Sequence, residues 1–142
     1  MILRLVSATF ALLSPVMAQT PAAALSCPEK LTVTETATPV EGWKTAGGKS
    51  EHAFERISIY NGTAGGKECD LAPDAQSQMS THVSQTWNLK DYRSMNIFLR
   101  CRYHDTAMVL YRDVPAGVQA CTFTFTSEKK GDFLGKSALT CR

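Results

Sequence analysis

The sequence predicts a mainly β domain, a small antiparallel β-sandwich or open barrel stapled by disulfides. Apolar and polar residues alternate with a period of two in several short stretches, while the helical period of 3.6 is scarce. Turn-forming clusters separate those stretches at near-regular intervals, as in all-β folds. Five cysteines, at positions 27, 69, 101, 121 and 141, follow an export-type N-terminus, the usual setting of a disulfide framework.

Residues 1–18 carry Arg4, an apolar run over 5–13 and a Val16-Met17-Ala18 end, the pattern of a signal peptide with a small-x-small cleavage site. That run is too short to span a bilayer, so no membrane insertion is expected. Residues 19–26 read as a short flexible leader and 27–142 as a single β domain. Ala24 stands where a lipid-anchored Cys27 would have leucine, which argues against lipidation.

Within the domain, 31–36 reads as a first strand and 57–60 as a second. Asn61 to Lys67 is a glycine-rich loop without an apolar anchor. The stretch 70–79, containing Pro73, reads as irregular with room for one helical turn. Trp87 and Leu89 share a face of the next strand. Ile97, Leu99, Cys101 and Tyr103 then share a face, with Phe98, Arg100 and Arg102 opposite. His104-Asp105 is a two-residue turn candidate. The apolar run 107–111 suggests a strand buried on both faces, ended by Pro115-Ala116-Gly117. Cys121, Phe123 and Phe125 alternate with Thr122, Thr124 and Thr126, a sharp strand signal. Lys129-Lys130-Gly131-Asp132 then turns the chain into a last strand over 133–141. From Trp87 onward the order reads as an antiparallel meander.

Five thiols cannot all pair. A hairpin turning about Gly131 sets Cys121 opposite Cys141, close enough for a bond. In a flat meander Cys101 and Cys121 stand two strand spacings of ~4.8 Å apart, too far to join. These arguments favour Cys121–Cys141 with Cys27–Cys101, leaving Cys69 a free thiol in a loop. The rival is Cys101–Cys121 with Cys27–Cys141, which places those strands in different sheets. No histidine neighbours Cys69 in sequence to act as its base. His52, His82 and His104 are scattered and no Cys-x-x-Cys occurs, so neither metal nor cofactor is expected.

Composition narrows the function. Fifteen basic against 13 acidic residues give a net charge of +2, and loss of Arg4 with the signal brings it nearer neutral. A nucleic-acid binder needs a basic face to neutralise phosphates, and none is apparent. Two glycine-rich stretches ending in Gly48-Lys49-Ser50 and Gly66-Lys67 lack the first glycine of a phosphate loop, with Trp43 and Asn61 in its place, and both read as loops. No Gly-x-Ser-x-Gly elbow occurs. The chain therefore reads as a binding protein and not an enzyme. Interfaces draw on amphipathic aromatics. Trp87, Tyr103 and Tyr111 lie on strand faces and read as core, while Trp43, Tyr60 and Tyr92 lie near loops. The candidate binding residues are Tyr60, Asn61, Lys67, Tyr92, His104 and Asp105, from the loops 60–67 and 92–96 and the 104–105 turn.

Cys27-Pro28, Gly42-Trp43, Trp87-x-Leu89 and Leu99-x-Cys101-Arg102-Tyr103 with Thr106 form a pattern. It continues in Leu110, Pro115-Ala116-Gly117-Val118, Cys121 and the closing Cys141-Arg142. In these residues the chain resembles a family of small exported proteobacterial proteins, some encoded in type VI secretion loci beside effectors that attack peptidoglycan. The resemblance implies a periplasmic inhibitor or immunity protein that binds and blocks a cell-wall-targeting, peptidoglycan-modifying effector. A monomer is expected. The chain is also similar in size, export and disulfides to the periplasmic inhibitors of vertebrate-type lysozyme, but Leu99 stands where their tyrosine precedes the cysteine. A structural periplasmic protein without inhibitory role is the third reading.

Overall fold

The computed structural model describes residues 25–92, 94–127 and 133–142, the last segment without the side chains of 133–136. The expected signal peptide, most of the expected leader and the 129–132 turn lie outside the described residues. Strands β1 (Lys30–Glu35), β2 (Gly48–Gly62), β3 (Glu68–Leu71), β4 (Ala75–Met79) and β5 (His82–Asn88) come first. A single 3-10 turn (Lys90–Tyr92) leads into β6 (Ile97–Tyr103), β7 (Val109–Asp113), β8 (Ala120–Ser127) and β9 (Phe133–Cys141). All pair antiparallel, in two sheets: β1-β2-β6-β7 with β3 also against β2, and β4-β5-β8-β9.

One core joins the two sheets. Phe54, Ile57, Ile59, Ile97, Leu99, Cys101 and Tyr103 come from the first, and Trp87, Cys121 and Phe123 from the second. Phe54 meets Tyr103 and Phe123 edge to face, at centroid distances of 6.1 and 6.3 Å. Edge-to-face contact sets the positive rim of one ring against the negative face of the next. Leu25 is buried in the same core.

The meander reading is corrected. β5 pairs with β8, while β6 pairs with β2 and β7. The 3-10 turn and buried Leu89 carry the chain across to the first sheet, and the connection holding Val114 and Val118 brings it back, so the β6–β7 hairpin is an excursion between β5 and β8. β7 is likewise no doubly buried strand. It is the last in its sheet, with Tyr111 at 58% exposure and not in the core. The stretch 70–79, read as irregular, holds β3's end and β4, and β4 is exposed at all five positions, so no alternation marked it.

β2 is far longer than the strand read from its apolar residues. A bulge between Phe54 and Arg56 inserts one residue and shifts the inward phase, from His52 and Phe54 to Ile57 and Ile59. Gly48, Lys49 and Ser50, read as loop, belong to this strand, as do Asn61 and Gly62, while Glu68 opens β3.

Bonds join Cys27 to Cys101 and Cys121 to Cys141, with Cα separations of 5.8 and 4.1 Å. Cys121 stands directly opposite Cys141 in the β8–β9 register. Cys101 and Cys121 lie in different sheets, so the flat-meander distance is not what separates them. Cys27 reaches Cys101 because the chain before β1 leaves the β2 edge and turns inward, where Tyr103 Oη donates to the Pro28 carbonyl at 3.1 Å. Cys69 is exposed and unbonded, and it lies on β3, opposite Asn61, and not in a loop.

Candidate functional site

The six candidate residues fall in two places. Tyr60 and Asn61 lie at the end of β2, and Lys67 in the turn to β3. Gly62 has φ +108, and an added Cβ would collide with the Lys67 carbonyl, so this turn requires glycine. The neighbouring 92–96 segment is tied to it: Gly62 N–H donates to Asn96 O at 2.9 Å, and Asn96 Nδ2 donates to Gly62 O at 3.2 Å. Asn61 Nδ2 lies 3.2 Å from Met95 Sδ. Tyr92 is half-buried against the core. The structure thus gathers Tyr60, Asn61, Lys67 and Tyr92 at one end of the first sheet.

His104 and Asp105 lie at the far end of β6, a run of seven residues and so about 20 Å away. Both are exposed, Asp105 takes a left-handed φ of 55°, and the loop continues to Met108 before β7 begins. The His104 carbonyl accepts from His52 Nδ1 at 2.9 Å, which anchors the loop on β2.

Between these ends, the outer face of the first sheet carries a cluster that the sequence reading missed. Tyr60 and Phe98 are cross-strand partners and stack at 5.6 Å. Tyr111 packs its edge on Phe98 at 6.1 Å, and the Arg100 guanidinium lies 4.2 Å from the centre of the Tyr60 ring. Glu68 pairs with Arg100 Nη2, with their side chains 19% and 15% exposed. Phe98 is thereby fully buried although it points away from the core. The hydrogen bond from Arg100 holds the Glu68 carboxyl below its ordinary value of 4.5, outweighing burial, with further help from the Gly65 N–H. Burial works against charge on Arg100, and the Glu68 carboxylate outweighs it, so its guanidinium is held more firmly protonated. The missed signal was an aromatic residue in the outward row of β6, flanked by Arg100 and lying within reach of two tyrosines.

A second feature adjoins this face. β1 covers β2 up to Ala53 and β3 covers it from Ile59, leaving Phe54 to Ser58 without a strand on that edge. A cleft of about 590 Å³ opens there, floored by Ile57, Leu71, Trp87, Phe123 and Phe125 and rimmed by polar residues. Trp87 Nε1 donates to Leu71 O at 2.7 Å, fixing the β3–β4 connection at its side. Among the described residues, no group of three or more His, Cys, Asp or Glu is placed to hold a metal ion. Trp43, the remaining loop aromatic, is 78% exposed.

A protein of Azospirillum brasilense described as an uncharacterized 16.3 kDa protein in the trpG 5' region is similar to this chain. It is 30% identical over 117 residues, covering 79% of this chain and 78% of the relative. No solved structure matches. The family model described as Type VI secretion system Tli immunity protein matches residues 49–142. That span runs from the start of β2 to the C-terminus and includes the outer-face cluster, the cleft and the Cys121–Cys141 bond. The chain belongs to the Type VI secretion system Tli immunity protein family.

Proposed function

We propose that the protein is exported to the periplasm and protects its cell by binding a type VI effector enzyme and blocking it, with a wall-cutting enzyme as the expected target class. The family match carries this reading, and the signal-like pattern over residues 1–18 supports the choice of compartment. Blocking requires no chemistry of the inhibitor. It requires a surface already in its bound shape, because ordering side chains on association weakens binding. The outer-face cluster meets that need: Tyr60, Arg100 and Tyr111 are aromatic and arginine groups of the kind that dominate interfaces, and stacking and the Glu68 pair hold them in place.

The test is co-expression with the effector encoded beside this gene, directed to the periplasm. The effector alone should lyse the cells or arrest growth, and this protein should restore growth through a complex that survives gel filtration. Tyr111→Ala should weaken that complex at least about tenfold with the fold unchanged, the size of effect expected at a hot spot. Release of peptidoglycan fragments by the effector would establish the target class, and hydrolysis of membrane lipid would replace it while keeping the immunity reading. Failure of oxidised, correctly exported protein to rescue growth would end the immunity reading for that effector.

A further inference from the structure

The bare stretch of β2 has a specific chemical character. In an antiparallel ladder, successive residues send their N–H and C=O alternately to one edge and the other. Gly62 N–H bonds to Asn96 O on the β6 side, whereas Thr63 N–H bonds to Lys67 O on the β3 side. Counting back in twos from Thr63 through Ile59, opposite Leu71, assigns Ile57 to the β3 side as well, and the bulge ends the count before Glu55. At the other limit, Phe54 N–H is already bonded to Glu29 O at 2.8 Å. The main-chain N–H and C=O of Ile57 therefore face the gap between β1 and β3.

The gap persists because both flanking segments leave the sheet. On one side Cys27 is drawn inward by its bond to Cys101. On the other, the chain after Leu71 crosses to the second sheet, fixed by Trp87. Beneath the gap lies an apolar floor, interrupted by Gln85. That residue occupies the inward row of β5 between Val83 and Trp87 and stands opposite Phe123. At the rim Arg56 has Glu55 for a partner at 3.7 Å, while Asp70 has no ion-pair partner among the described residues.

We infer that the effector completes this sheet: an extended segment of it enters between β1 and β3 as an antiparallel strand, bonding to the main chain of Ile57. The inference rests on the immunity reading and names how the partner is held. The segment runs along Glu55–Ser58, which have β6 on one edge and no strand on the other. It turns an apolar side chain down onto Leu71, Trp87 and Phe123, and carries a basic residue beside Asp70. Strand addition takes its affinity from main-chain hydrogen bonds and its specificity from the pockets under alternate side chains.

Amide hydrogen exchange on the oxidised protein, free and bound to its effector, provides the test. In the free protein Ile57 N–H should exchange much faster than those of Phe54 and Ile59, although its side chain is buried, and it should become protected in the complex. Slow exchange of Ile57 in the free protein would mean that the gap is already filled by the chain itself, overturning the inference. Fast exchange persisting in a stable complex would overturn it too, while the immunity reading stands. Gln85→Trp, which fills the cleft from its far wall, should weaken the complex at least about tenfold without lowering the thermal midpoint. Unchanged affinity in that variant would also count against strand entry. Tyr111→Ala serves as the contrast, since it should weaken the complex yet leave Ile57 protected in whatever complex forms. If no complex forms and rescue also fails, both readings fall together.

Discussion

The two faces of β6 bury their residues by different means. Inward, Ile97, Leu99, Cys101 and Tyr103 are covered by the opposite sheet. Outward, Phe98 is as fully buried as Leu99, but its cover consists of Tyr60, Tyr111 and the Arg100 side chain, with solvent beyond. Burial from a facing sheet cannot be removed without unfolding. Burial under side chains is local and remains available to a partner, because the covering groups are themselves at the surface.

Substitutions on either face should separate these two kinds of burial. Leu99→Ala should be the most damaging, costing about 2–5 kcal/mol in urea unfolding, since the cavity it leaves is walled on all sides. Phe98→Ala should cost less than the ~3–5 kcal/mol of an enclosed phenylalanine, because Tyr60 and Tyr111 can close over the space. An equal or larger loss would mean that the outer cluster is a second core.

Glu68→Gln sharpens the contrast through pH. The carboxyl is held low by Arg100, so its contribution is fully present above its ordinary value of 4.5 and is lost as pH falls through the lower folded value. The stability gap between wild type and variant should therefore be constant near neutrality and shrink only in acid. A gap that persists unchanged in strong acid would show that the pair does not couple to folding. Smallest of all, Trp43→Ala should shift stability by no more than about 0.5 kcal/mol, since that ring is exposed. A larger shift in thermal melting would reveal packing that the surface position does not suggest.

What could be read in advance follows the same division. The inward rows of β6 and β8 were legible because a facing sheet imposes a strict period of two, and all four inward residues of β6 are buried. The length of β2 was hidden by the bulge, which breaks that period at Glu55. β4 was hidden because neither of its faces packs, so Gln76, Ser77 and Gln78 carry no pattern. The pairing of β5 with β8 depends on where Leu89 and Val118 take the chain, a tertiary choice that local spacing does not encode. At the candidate site, the sequence marks Tyr60 as a loop aromatic. Its partners Phe98, Arg100 and Tyr111 come from strands distant in sequence, and only the register brings them together.

The cysteine left without a partner bears on how the molecule reaches its bonded state. Cys69 lies in sequence between Cys27 and Cys101, and it stays exposed on β3 in the finished fold. In a reduced chain undergoing oxidation, the stretch from Cys27 to Cys69 is a shorter ring to close than the native one spanning 74 residues, and shorter rings close at lower entropic cost. Cys69 therefore competes for Cys27 before Cys101 is in place, whereas the Cys121–Cys141 ring of 20 residues closes without such a rival inside it. Where Cys27 bonds Cys69 first, attack of the Cys101 thiolate on the Cys27 sulfur releases the Cys69 thiolate and forms the native pair. A third thiol inside the larger ring thus gives oxidation of this chain a competing route, and leaving that route requires a thiolate to be available for exchange.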